Sequence, residues 1–141
     1  MGQLLSTSAT QTKRARHGKI AADSAVVLIV EDEALIRMNA VQMMEDAGYI
    51  ALEAANADDA VAILKRRGDI RAVFTDVKMS GSMCGLKLAH AIRRRWPPIH
   101  LIVTSGFPVE SELPPGSRFL RKPYENSRVV DLLHELFDAD R

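Results

Sequence analysis

At 141 residues, 47% of them hydrophobic and 26% charged, the chain is the size of one ordinary domain, which excludes wholesale disorder and leaves little room for a second module of similar size. The net charge of +1 is uneven: Lys13, Arg14, Arg16 and Lys19 face only Asp23 in the first 25 residues, so of 19 basic and 18 acidic residues the remainder keeps 15 and 17, a slightly acidic body with no sign of a nucleic-acid surface. Cys84 is the single cysteine, which rules out an intrachain disulfide or a multi-cysteine metal site, and the longest apolar runs fall far short of the roughly 20 residues of a membrane span, so a cytoplasmic location is expected.

Residues 1–24 carry no sustained apolar periodicity and read as a flexible tail. Met1-Gly2-Gln3-Leu4-Leu5-Ser6 fits the short N-myristoylation pattern, but a pattern that short often matches by chance, and no membrane association is expected from it. From residue 25 onward, β-rich runs alternate with amphipathic helical patterns, the mark of a parallel sheet covered on both faces. Val26-Val27-Leu28-Ile29-Val30 is unbroken and apolar, as in a central strand. A helix over 33–47 follows, with Ile36, Ala40, Met43, Met44 and Ala47 inward and Gly48 as its stop. Residues 50–54 form the second strand. Asn56 then caps a helix with Asp58 and Asp59 at its positive end and Ala57, Ala60, Val61 and Leu64 inward, ended by Gly68.

Residues 71–75 form the third strand and run into Asp76. A helix bearing Leu88, Ala89 and Ile92 ends at Pro97-Pro98, and residues 100–104 form the fourth strand. Pro108, Pro114 and Pro115 leave the stretch 105–116 room for a turn or so of helix, so it should lie at the low-stability end of the molecule. Residues 119–121 form the fifth strand, and 125–137 a last helix with Val129, Val130, Leu133, Leu136 and Phe137 inward.

Ligands of an open parallel sheet sit beyond the carboxyl ends of its strands. Four of the predicted strands end there in polar residues: Glu31-Asp32, Asp76, Thr104-Ser105 and Lys122-Pro123. Clustered carboxylates repel unless a cation compensates them, and Mg²⁺ takes one or two carboxylates together with water and phosphate oxygens. A carboxylate nucleophile, a hydroxyl, an ammonium and a divalent ion are the parts that phosphoryl transfer to an aspartate needs.

VVLIVEDE at 26–33, FTDVKM at 74–79, VTSG at 103–106 and RKPY at 121–124, in that order and each at the end of a predicted strand, resemble the receiver domain of two-component response regulators over roughly residues 25–139. The resemblance implies a doubly wound, flavodoxin-like α/β fold with strand order 2-1-3-4-5 and a shortened or missing fourth helix. It implies that Glu31, Asp32, Asp76 and the backbone carbonyl of Lys78 hold Mg²⁺, that Asp76 accepts the phosphoryl group, that Thr104 and Lys122 contact that group, and that Phe119 turns inward with Thr104 as the switch. The implied partner is a sensor histidine kinase or histidine phosphotransfer protein, with a single-domain protein, 25–141, that signals through a protein partner or drains phosphate, as a monomer or a phosphorylation-dependent dimer.

The sequence departs from the family in its loop Met79-Ser80-Gly81-Ser82-Met83-Cys84-Gly85, where Met-Pro-x-Met-Asp-Gly is commoner; Ser80 in place of proline should loosen the loop. Cys84 reads as a small helix-entry residue before a redox sensor, His90 and His100 as structural, and Arg93-Arg94-Arg95 as a solvated helix end. The alternatives are a non-phosphorylated pseudo-receiver serving as an interaction module, a phosphotransferase or phosphatase, for which a substrate cap is lacking, and a flavodoxin-like cofactor binder, for which no phosphate loop follows the first strand.

Overall fold

The computed structural model describes residues 24–79 and 83–141. The expected tail up to residue 23, with its myristoylation-like motif, and the Ser80-Gly81-Ser82 part of the loop lie outside the described residues. In chain order the elements are β1 (Val26–Val30), α1 (Ala34–Asp46), β2 (Ile50–Ala54), α2 (Ala57–Arg66), β3 (Ile70–Asp76), α3 (Gly85–Arg95), β4 (His100–Ser105), a 3-10 turn (Glu110–Glu112), β5 (Arg118–Arg121) and α4 (Asn126–Ala139). All strand pairs are parallel, and the order is β2-β1-β3-β4-β5.

The apolar run of β1 follows from its two covered faces. Val26, Leu28 and Val30 point into a core shared with Ala60 and Leu64 of α2 and Leu88 and Ile92 of α3. Val27 and Ile29 point the other way, toward Met44 of α1 and Val129, Leu133 and Phe137 of α4. Leu28, Leu88, Ile92, Leu101 and Leu133 are fully buried; each such side chain contributes about 1.5–3 kcal/mol.

Local signals set the helix ends. The Asn56 Oδ1 accepts the Asp59 amide at 2.8 Å, the cap expected from the sequence. At the end of α1, Gly48 adopts φ 93°, and the amides of Gly48 and Tyr49 donate to the carbonyls of Glu45 and Met44 at 3.0 Å each, a Schellman closure that a β-carbon would strain.

Some expectations need correction. Ile36 is 40% exposed, because α1 begins at the site end of the sheet, where no described element covers its first turn. Strands β3 and β5 each begin one residue earlier than the pattern indicates, and α4 runs on to Ala139. The stretch between β4 and β5 has only the short 3-10 turn, as its prolines dictate, yet it is anchored. Val109 and Pro114 are buried and Leu113 packs on the core. Its carbonyls, which a helix would have satisfied internally, are taken by side chains: His90 Nε2 bonds the Glu112 oxygen at 2.7 Å, Arg93 Nε the Pro115 oxygen at 3.0 Å, and Arg121 Nε the Gly106 oxygen at 2.9 Å. Arg93 is therefore no solvated helix end; it also donates to the Pro97 and Ile99 carbonyls. His90 and His100 both make structural contacts, the second with Asp140 at 2.9 Å.

Candidate functional site

Strand register builds the site. Val30 lies beside Thr75, so Glu31 comes level with Asp76 one residue on, and Asp76 is itself paired with Thr104. Beyond β5 the Lys122 amide donates to the Ser105 carbonyl at 2.9 Å, which brings its side chain to the same edge. The amide of Val77 bonds the Thr104 carbonyl at 3.0 Å, so pairing of β3 with β4 continues one residue past the acid.

Asp76 is buried, and its Oδ2 accepts Lys122 Nζ at 2.9 Å; Oδ1 faces the Lys78 amide at 3.4 Å. Glu31 is buried and accepts the Glu33 amide at 3.0 Å. Burial holds the Glu31 carboxyl above the ordinary carboxylate range; the charge of Asp76 and a hydrogen bond with Asp32 push the same way, against the Glu33 amide and Lys122. For Lys122, burial is the largest single influence and pulls its pKa down, but the hydrogen bond and charge of Asp76 and the charge of Glu31 together outweigh it and leave it raised. Lys122 is thus a committed cation facing more negative charge than it can offset.

The donors here are all oxygens, which suits a hard divalent cation. Among the described residues no three acidic, histidine or cysteine side chains stand close enough to cage an ion by themselves. An ion at this edge must complete its shell with water, a backbone carbonyl or a ligand's oxygens, the habit of Mg²⁺. The residues fit that ion.

Thr104 is buried directly beside Asp76, whereas Phe119 is half-buried on β5 opposite Val103 and does not reach the acidic crevice. Cys84 occupies the residue before α3 without a side-chain capping bond. Three further residues matter that sequence reasoning passed over. Tyr124 lines the crevice with Glu31, Asp76 and Thr104 and meets Phe74 edge-on at 6.0 Å. Gly85 sits so close to the Asp76–Val77 peptide that a β-carbon would overlap it; its place opposite the acid is not readable from local pattern. Arg37 reads as an ordinary polar helix residue, but its NH1 donates to the Glu31 carbonyl at 2.7 Å.

Residues 27–134 match the family described as response regulator receiver domain. The chain is 30% identical over 136 residues to the sensor kinase CckA of Brucella abortus, covering 92% of this chain and 14% of the kinase. It is 34% identical over 122 residues to the nitrogen assimilation regulatory protein NtrX of Azorhizobium caulinodans, covering 82% of this chain and 26% of NtrX. The chain thus spans a minor part of these relatives' length. A solved receiver protein from Sinorhizobium medicae superposes with a TM-score of 0.78 at 23% identity, over 85% of this chain and 99% of that one, a likeness of fold. No helix among the described residues is long and apolar enough to cross a membrane. With most of its length matched and the doubly wound sheet in place, the chain belongs to the response-regulator receiver domains, modules that accept a phosphoryl group on an aspartate from a histidine kinase or phosphorelay protein and catalyse only their own phosphorylation and dephosphorylation.

Proposed function

We propose that Asp76 is the phosphoacceptor, that Glu31, Asp32, Asp76 and the Lys78 carbonyl hold Mg²⁺, and that Thr104 and Lys122 receive the phosphoryl oxygens. The observation that carries this reading is the buried Asp76 carboxylate, level with Glu31 on one side and Thr104 on the other, with Lys122 Nζ 2.9 Å from Oδ2. When bound, the metal supplies positive charge against the phosphoryl oxygens. A carboxylate oxygen of Asp76 attacks phosphorus; the new O–P bond forms as the donor's N–P bond breaks, and that electron pair stays on the donor's imidazole nitrogen. Lys122 pairs with one phosphoryl oxygen and the Thr104 hydroxyl donates to another. Water later splits the acyl phosphate, returning the carboxylate and inorganic phosphate.

The donor is a sensor histidine kinase or a histidine phosphotransfer protein, a reading supported by the likeness to part of CckA and to part of NtrX. Drawing Thr104 toward the phosphoryl group moves the end of β4, and Phe119, beside Val103 on β5, follows as the switch aromatic. The signal passes to a downstream protein partner, or the domain drains phosphate from its kinase, in the cytoplasm and without direct contact to nucleic acid. The test is incubation with Mg²⁺ and a small phosphodonor, read by intact mass. Gain of a single phosphoryl group is expected; no gain would favour the pseudo-receiver.

A further inference from the structure

We propose that Arg37 is a positioning residue that fixes the Glu31–Asp32 turn in the orientation that receives the divalent cation, without itself touching the ion or the phosphoryl group. The inference rests on the Mg²⁺-dependent reading above. The Glu31 amide still belongs to the sheet, donating to the Ala54 carbonyl of β2 at 3.1 Å. Its carbonyl lies past the end of β1, where the chain bends into α1 and no strand amide donates to it among the described residues. Arg37 NH1 takes that carbonyl at 2.7 Å, while its Nε reaches Glu53 on β2 at 3.1 Å. The Arg37 side chain is only 19% exposed, so the fork is held rather than waving in solvent.

The peptide that joins Glu31 to Asp32 is thereby tied from both sides, to β2 through its preceding amide and to α1 through its own oxygen. Rotation of that peptide would reorient the Asp32 side chain, which follows it directly. Only a guanidinium can serve a carbonyl and a carboxylate in diverging directions from one planar group; a lysine ammonium brings the same charge without the fork. Charge and position also act in opposite senses. A positive group near a cation site weakens cation binding, whereas a partner that orients the ligands strengthens it, commonly by ten- to a hundredfold. The sign of the change on substitution therefore separates the two.

The test uses the full chain and titrates Mg²⁺ alone, followed by amide NMR shifts of Asp32 and Asp76, beside the Mg²⁺ dependence of labelling by acetyl phosphate. Arg37→Lys should bind Mg²⁺ about tenfold more weakly, raise the half-maximal Mg²⁺ for labelling by the same factor and leave the rate at saturating Mg²⁺ within about twofold, a split that a merely structural role would not give. Arg37→Met should also bind more weakly despite losing a repelling charge, and Glu53→Ala, at a half-exposed position, should change affinity in the same direction by less. Arg37→Lys equal to wild type, or Arg37→Met binding more tightly, overturns the inference. Should the Arg37 variants fail to fold, an unchanged Glu53→Ala overturns it. Wild type that binds no Mg²⁺ defeats the underlying reading as well, whereas wild type that binds beside an unaffected Arg37→Lys removes this inference alone.

Discussion

Replacing Gly85 by alanine tests how closely α3 is set against the residue that ends β3. A β-carbon there would overlap the Asp76 carbonyl oxygen and stand 2.7 Å from Val77 Cα and 2.9 Å from the Asp76 carbonyl carbon. These are backbone atoms, so no rotamer change relieves the clash and the start of α3 must retreat. Retreat stretches the 2.9 Å bond from the Gly85 amide to the Val77 carbonyl. Overpacking costs about 1–3 kcal/mol and the lost bond about 1 kcal/mol, so the variant should lose about 2–4 kcal/mol. At about 4 °C per kcal/mol for a domain of this size, Tm falls by about 8–16 °C. Gly68→Ala is the control, since a β-carbon there meets nothing within 4 Å and Ala restricts the unfolded chain more than Gly does. Urea unfolding of both variants, supported by thermal melts, gives the difference. A Gly85→Ala variant within about 0.5 kcal/mol of wild type would refute the close packing of this residue on the Asp76 peptide.

Arg93→Ala strips the bonds to the Pro97, Ile99 and Pro115 carbonyls; amide hydrogen exchange over residues 106–117 should quicken about tenfold or more, and unchanged exchange would mean that the segment is held without Arg93, by its buried residues and the bonds of His90 and Arg121. The hydrogen bond of His100, followed by that of Arg71, holds the Asp140 carboxyl below its ordinary value of 3.8. A carboxyl lowered on folding stabilises above its unfolded pKa and loses that contribution as pH falls through the folded one. The stability gap between wild type and Asp140→Asn should thus be open at about pH 5 and close toward about pH 2; a gap that widens on acidification contradicts the assignment. Asn56→Ala removes the α2 cap and should cost about 1 kcal/mol by urea unfolding, with no loss contradicting the capping bond.

Strands and helices were legible where burial on two faces or on one stripe imposes a pattern. The β1 run could be read because both its faces are covered, and Asn56 and Gly48 because a cap and a left-handed residue have few chemical solutions. The acids were legible because they come directly after apolar runs, and Lys122 because it stands in the RKPY motif at the end of β5. Arg37, Gly85 and Arg93 were not, since each acts across the fold on a backbone atom, of Glu31, Asp76 or Pro115, and local periodicity carries no trace of such a contact. The side-chain anchors of the path between β4 and β5 escape the sequence for the same reason. Proline content denies it a helix, but its order comes from α3 and β5 side chains that reach it from elsewhere.

In the proposed chemistry Asp76 alone receives the phosphoryl group. Wild type and Asp76→Asn, treated side by side with Mg²⁺ and acetyl phosphate and then trapped with borohydride, test it most directly by peptide mass. One modified residue is expected in wild type, at Asp76, and none in the variant, whose circular dichroism should match that of wild type. Undiminished labelling of Asp76→Asn, or a trapped group at another residue, would contradict it.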